Sequence, residues 1–593
     1  MNLSDDTLLN QVWAPVVTGK PFSSPHHDMM MLPDGEIRHY GAIIRDFTDF
    51  SFDFVVQKSH DYGMSWSTCP VRNRTPGATV RSPRSGDWLS VLYYTMPPEH
   101  LTHFPCETYQ PILKECDAEG VWLFRSGNGP DGDFTMKRIF PDPIFIQRPP
   151  LPLRNIERWI IPGQEKIDGF LHPVVLLSDD DGESWRKIVL PYPPLHQIEW
   201  PHKGYRWRQP GTEAVVAEYP DGRIQMLLRT SQDTHYQCFS GDGGESWSTP
   251  EPSPFYSVAT MPNLMSLSDG RMLAIWNNTT PLPECDHALQ TPELDAGEIN
   301  GRSEDVFTNR DVLHAAISDD QGRTWRGFRE LVLNPLRNAG DFRTVGGKMM
   351  FDRSVHQTQA LELPGNKILV GYGQHAVCWG FLVFDLGFLL ETSRSDDFSD
   401  GLQDWSVHQY LKSHSGNFRC AGHCAWNRRA GASLIPAPDG SPREVLQIAR
   451  HPDPRLVFEK EGAVWNFPAA AKGCVTLELM LVPGSEGVRI TLCDRWFNPV
   501  DPVVHQLSPF VFELDSAGRI NQVPCLKPGL KSTLEITFDH EAGTASFSVA
   551  GITGETTRQT DVSGDISYLH LQSLAEGSDP HGVLIYSVAM RAI

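Results

Sequence analysis

The sequence predicts an all-β protein of many short strands, and three observations carry that expectation. One turn pattern, S-x-D-x-G-x-x-W, occurs at Ser59, Asp61, Gly63 and Trp66, at Ser178, Asp180, Gly182 and Trp185, at Ser240, Asp242, Gly244 and Trp247, and at Ser318, Asp320, Gly322 and Trp325. Runs of β-branched and aromatic residues with alternating character are separated by turn residues, and the chain holds 49 glycines and 47 prolines. Hydrophobic residues make up 40% of 593, enough for a large core in two or three domains.

The stretch 211–247 shows how the elements follow one another. Val215 and Val216 sit among β-formers, Pro220-Asp221-Gly222 supplies a turn, and Ile224, Met226 and Leu228 alternate along a second strand. Glu213 opens the first strand and Arg229 closes the second. Charged residues at the ends of otherwise apolar strands call for a reason. The recurrent turn has readable chemistry: the Asp carboxylate accepts backbone N–H bonds, Gly supplies a positive φ, and Trp packs beneath the hairpin.

The net charge of −22, from 51 basic and 73 acidic residues, argues against nucleic acid or an anionic membrane as partner. It leaves room for an anionic small substrate, since a few local arginines can reverse the field in a cleft. No run of apolar residues is long enough to span a bilayer. The first residues, Met1-Asn-Leu-Ser-Asp-Asp6, have neither a basic nor an apolar signal region. A cytoplasmic location is the expectation, with a secreted or periplasmic one if a signal peptide has been removed. The 11 cysteines are scattered and read mostly as buried thiols of a reducing compartment. Cys420, His423 and Cys424 resemble half a zinc site, but no second cluster completes four ligands, so neither metal nor cofactor is expected.

Four copies of this four-point pattern are the Asp-box, and by it the chain resembles the sialidase-like β-propellers. The resemblance implies four-stranded blades, here six of them within residues 1–394. They fall near 26–66, 80–140, 143–187, 208–249, 257–327 and 351–393. The spacing of 119 residues between the first two boxes fits two blades, and the spacings of 62 and 78 fit one each. The second blade has no intact box; Ser126-Gly-Asn-Gly-Pro-Asp-Gly132 reads as its remnant. The acidic insertion 280–309 is expected as a surface loop near the mouth. From residue 395 the boxes stop. Alternating strands such as 475–481, 532–538, 544–549, 568–573 and 583–588 predict a β-sandwich over 395–593, jelly-roll or lectin-like.

Sialidases place their chemistry at the ends of inner strands: an Asp acid/base, a Glu that activates a Tyr nucleophile, and three arginines that clamp a carboxylate. Carried over by resemblance, Asp49 is the proton donor, ahead of Asp46 and Asp53, and Glu213 is the base-assisting residue. Arg45, Arg229 and Arg310 contact substrate. Two positions depart from the family. The place of the first clamp arginine reads Ser24-Pro-His26-His27, and the sixth blade reads Arg353-Ser-Val-His356-Gln357 where the Tyr should lie. His356 becomes a candidate general base, and His26, His27 and Gln357 become candidate substrate contacts. Trp200, Tyr205 and Trp207, among basic residues, could stack on sugar rings. The expectation is an exo-acting glycoside hydrolase on a terminal sugar, neutral or acidic, with a sialoside a doubtful substrate. The alternatives are a lyase acting on a uronate-containing polysaccharide and a non-catalytic glycan-binding propeller.

Overall fold

A computed structural model describes residues 8–25, 28–46, 51–71, 79–94, 116–194, 211–282, 309–338, 354–374, 376–411, 427–456 and 458–593, without the side chains of 42–46, 51–53 and 427. Among the described residues no helix is long and apolar enough to cross a membrane.

Six antiparallel sheets follow one another along the chain as propeller blades. Blade 1 runs from Met29–Met31 to Ser67–Pro70 and blade 2 from Thr79–Arg81 to Thr135–Phe140. Blade 3 begins with an inner edge split into Ile144–Ile146 and Leu151–Pro152, and ends at Arg186–Val189. Blade 4 comprises Thr212–Glu218, Ile224–Arg229, Thr234–Ser240 and Glu251–Tyr256, and blade 5 runs from Asn263–Ser266 to Arg326–Leu333. Blade 6 takes Gln359–Leu363, Lys367–Tyr372 and Gly380–Asp385 from its own segment, and its fourth strand, Val16–Gly19, from the N-terminal region. Val16 and Val17 pair with Val383 and Leu382, which ties the last blade to the start of the chain. Short, regular sheets suit the ring because each blade buries its apolar faces against its neighbours.

The Asp-boxes form as their chemistry dictates. In blade 4 the Asp242 carboxylate accepts bonds from the Ser240 hydroxyl at 2.8 Å and the Ser246 N–H at 3.0 Å, and the Trp247 indole donates to Gly244 O at 3.0 Å. Gly244 sits at φ +93°, in the left-handed region where a side chain is strained. The blade 1 box Trp stacks on Phe381 of blade 6 with centroids 4.2 Å apart, so a box also seals the seam between neighbours. In blade 2 the box position holds the loop after Gly120–Ser126, whose Asp131 binds Arg38 at 2.6 Å and the Tyr40 hydroxyl in blade 1.

Downstream, sheets of eight and seven strands pack face to face. Val475, Leu477 and Leu479 point inward with Leu534, Ile536 and Phe538, while Glu535 and Thr537 face out, the alternation a half-buried strand requires. This sandwich is docked on blade 5. Arg428, on a separate two-stranded sheet of the C-terminal region, forms a fully buried bidentate ion pair with Asp311 at 2.9–3.0 Å, and from the sandwich itself Asn498 Nδ2 donates to Asn309 Oδ1 at 3.1 Å and Trp496 N donates to Asn278 O at 3.0 Å.

Candidate active site

In blade 4, Thr212 pairs with Arg229 at one end of the sheet, and Ile224 pairs with Ser240 of the box at the other. Boxes and inner-strand charges therefore lie on opposite faces of the propeller. The candidate site is at the box-free end.

Glu213 and Arg229, placed at strand ends by the sequence, meet there as an ion pair, nearly buried on both sides. Glu213 has a left-handed backbone, φ +47°, at a break in register between Thr212 and Val215. A non-glycine residue in that region is held by its surroundings at a cost. Here the Glu213 N–H donates to Gln164 Oε1 at 2.8 Å, and Gln147 Nε2 reaches the Glu213 carboxylate at 3.5 Å. Both glutamines come from blade 3. His235, buried beside Arg229, is pushed down to about 3 by burial and stays neutral.

Arg148 is the residue that the sequence reading missed. It follows the inner strand of blade 3 and donates to Thr358 O at 2.9 Å in blade 6 and to Pro262 O in blade 5. Blades 3 and 6 face one another across a six-bladed ring, so this guanidinium crosses the propeller axis. Burial pushes Arg148 down to about 10 against the pull of Glu213. Asn263 Nδ2 donates to the same Thr358 carbonyl at 3.1 Å. Only the interruption of the inner strand at 147–150 could have hinted at Arg148, and that is visible only once the blade is built.

His356 lies two residues before Thr358, buried, with Nδ1 2.7 Å from the Ser354 hydroxyl. Gln357 follows at φ +65°, also buried. Arg310 is 1% exposed and donates to the Ala259 carbonyl, while its own carbonyl accepts from Val355 N at 3.0 Å. Arg310 therefore stands in the wall beside His356. Tyr372, the tyrosine of blade 6, is pushed up to about 12 by burial, opposite to what an activated nucleophile needs. Arg45 lies near the end of Ile37–Asp46, its side chain outside the described residues. Asp49, His26, His27, the aromatic run at 200–208 and Cys420, His423 and Cys424 lie outside them altogether. Among the described residues no group of three or more His, Cys, Asp or Glu side chains is arranged to hold a metal ion. The structure thus joins Glu213 to Arg229, sets the segment of His356 and Gln357 against Arg310 through Val355, and links the two groups through Arg148.

The six blades and their Asp-box turns make this part of the protein a six-bladed Asp-box β-propeller. Residues 130–350, from blade 2 into the segment before blade 6, match the BNR repeat-like domain. No curated protein matches the chain. Among solved structures, a Trypanosoma rangeli sialidase mutant displaying trans-sialidase activity is 11% identical, with 98% of this chain and 94% of that one covered and a TM-score of 0.35. The T. rangeli sialidase in complex with sialic acid is 12% identical over 97% and 91%, TM-score 0.36. A Dyadobacter fermentans protein of unknown function is 16% identical over 63% and 97%, TM-score 0.39. Identities and scores this low carry no inference about activity or substrate.

Proposed function

We propose that this protein is an exo-acting glycoside hydrolase that removes a terminal sugar from a glycan at the box-free mouth of the propeller. The observation that carries the reading is Glu213, a carboxylate in a strained left-handed conformation, paired with Arg229 and held by two glutamines of the neighbouring blade. A structural ion pair needs neither the strain nor the second blade. In this reading Glu213 acts in base assistance and Asp49 protonates the leaving oxygen. His356, oriented by Ser354, stands in the segment where sialidases have a Tyr nucleophile and acts instead as a general base. Arg229, with Arg45, His26, His27 and Gln357, orients the sugar, while Arg310, expected as a substrate contact, is buried and supports the wall beside His356.

A panel of 4-nitrophenyl glycosides tests the reading, with an α-sialoside among the substrates. Release of nitrophenol from at least one glycoside, abolished in Glu213→Gln, is the expected result, and the sialoside should be a poor substrate. Formation of an unsaturated, ultraviolet-absorbing product from a uronate polysaccharide would replace hydrolysis by elimination. Binding of glycans without turnover of any substrate would leave the propeller a lectin.

A further inference from the structure

Away from the mouth, a cavity of about 650 Å³ opens where blade 5 meets the sandwich. Its walls include Glu330 and Arg337 from the propeller side and Arg394 and Asp404 from the sandwich side. Behind it runs a hydrogen-bonded chain. Asn278 N–H donates to His314 Nδ1 at 3.0 Å, so the imidazole proton sits on Nε2 and points at the Tyr568 hydroxyl. Tyr568 in turn donates to Glu330 Oε1 at 2.8 Å. His314 and Glu330 belong to the propeller and Tyr568 to the sandwich, so the chain crosses the junction twice. Arg394 meanwhile is engaged within the sandwich, with Nη2 on Asp404 and Nη1 on Asn466 O, each at 2.6 Å.

We propose that Glu330, Tyr568 and Arg394 form a proton-operated latch between propeller and sandwich. With Glu330 protonated, the junction holds a neutral carboxyl and Arg394 keeps its partner Asp404. When Glu330 releases its proton to water in the cavity, a negative charge stands in the junction and draws Arg394 across from Asp404. The groups facing Glu330 are Tyr568 from one sandwich sheet, Arg394 and Asp404 from the sandwich edge, and Arg329, Arg337 and His314 from the propeller. His314 does not compete for the proton, since burial pushes it down to about 3. Arg337 is committed to the carbonyls of Trp405, Gln403 and Asn334. Arg329 is committed to Glu391 at 2.7 Å. Burial pushes Glu330 up to about 7, although Arg394, the Tyr568 hydroxyl and Arg337 pull it down.

A carboxyl raised on folding favours the docked form while it stays protonated there, and that advantage fades as the same carboxyl ionises in the unfolded chain. The contribution is complete below its ordinary value of 4.5, is lost as pH rises to about 7, and is constant above. The full interval corresponds to a change on the order of 10²-fold in the unfolding equilibrium. The test is urea unfolding of the whole chain at about pH 5 and about pH 8.5, for wild type, Glu330→Gln and Arg394→Gln. Wild type should lose stability relative to Glu330→Gln as pH rises, and Arg394→Gln should deepen the loss because no counter-charge can cross. Infrared difference spectra should show a protonated carboxyl band that titrates near neutrality in wild type and is missing in Glu330→Gln. Parallel pH curves for wild type and Glu330→Gln would overturn the latch. Should Glu330→Gln fail to fold, an Arg394→Gln curve parallel to wild type would overturn it equally.

Discussion

The two ends of blade 4 each hold a carboxylate, and the contrast between them is instructive. At the box end, Asp242 is exposed and takes its hydrogen bonds from within its own turn, from Ser240 and Ser246. The Ser246 hydroxyl first, with further donors of the turn, holds it down at about 2. At the mouth end, Glu213 is nearly buried, has a strained backbone, and depends on Arg229 across the hairpin and on Gln147 and Gln164 from another blade. The first arrangement is closed within a few residues and is copied four times. The second exists only when two blades are side by side. A carboxylate held by its own turn serves the fold, and one held by distant elements against strain has the character of a functional group.

The largest expected effect is at the mouth. Glu213→Gln should lower turnover of a responsive glycoside by about 10²–10⁴-fold, the usual range for a positioned acid or base, with the circular dichroism spectrum unchanged and some loss of stability to denaturant, because the buried Arg229 loses its counter-charge. Equal turnover in the variant would remove the contrast. Next is the junction, where Asp311→Ala leaves Arg428 buried without its partner. Denaturant unfolding should show a loss of about 3–5 kcal/mol. Asp242→Ala at the box should cost less, about 1–2 kcal/mol for hydrogen bonds in an exposed turn, with turnover unaffected. A loss of turnover without a loss of stability would mean that the box end also serves the chemistry. The smallest effect concerns acid. Asp242 and Asp320 are held at about 2, below the ordinary 3.8. The stability that they contribute is present above 3.8 and fades as pH falls towards about 2. Acid titration of Asp242→Asn, followed by tryptophan fluorescence, should show a shallower loss over that interval than wild type.

The blade pattern was legible because a box turn is local. Ser240, Asp242, Gly244 and Trp247 fix one another within eight residues, so four copies announced the sheets around them, and Glu213 and Arg229 could be placed at the ends of two strands, while their ion pair emerged only in the folded blade. The closure by Val16–Gly19 was not legible, because a four-residue strand with no turn of its own has no signature until Val383 and Leu382 are there to pair with it.

The sequence by itself determined the all-β class, the four Asp-box turns, the sandwich strands and the placing of Glu213 and Arg229 at strand ends, since each follows from turn chemistry or strand alternation over short distances, and the count of six blades came from the resemblance that the boxes carry. Only the tertiary structure decided that Arg148 spans the axis from blade 3 to blades 5 and 6, that Arg310 stands in the wall, and that Glu330, Tyr568 and His314 join across the junction. Tyr568 is 254 residues from His314 and 238 from Glu330. Contacts at such separations leave no periodicity to read, because burial and hydrogen-bond geometry there are set by how whole sheets pack.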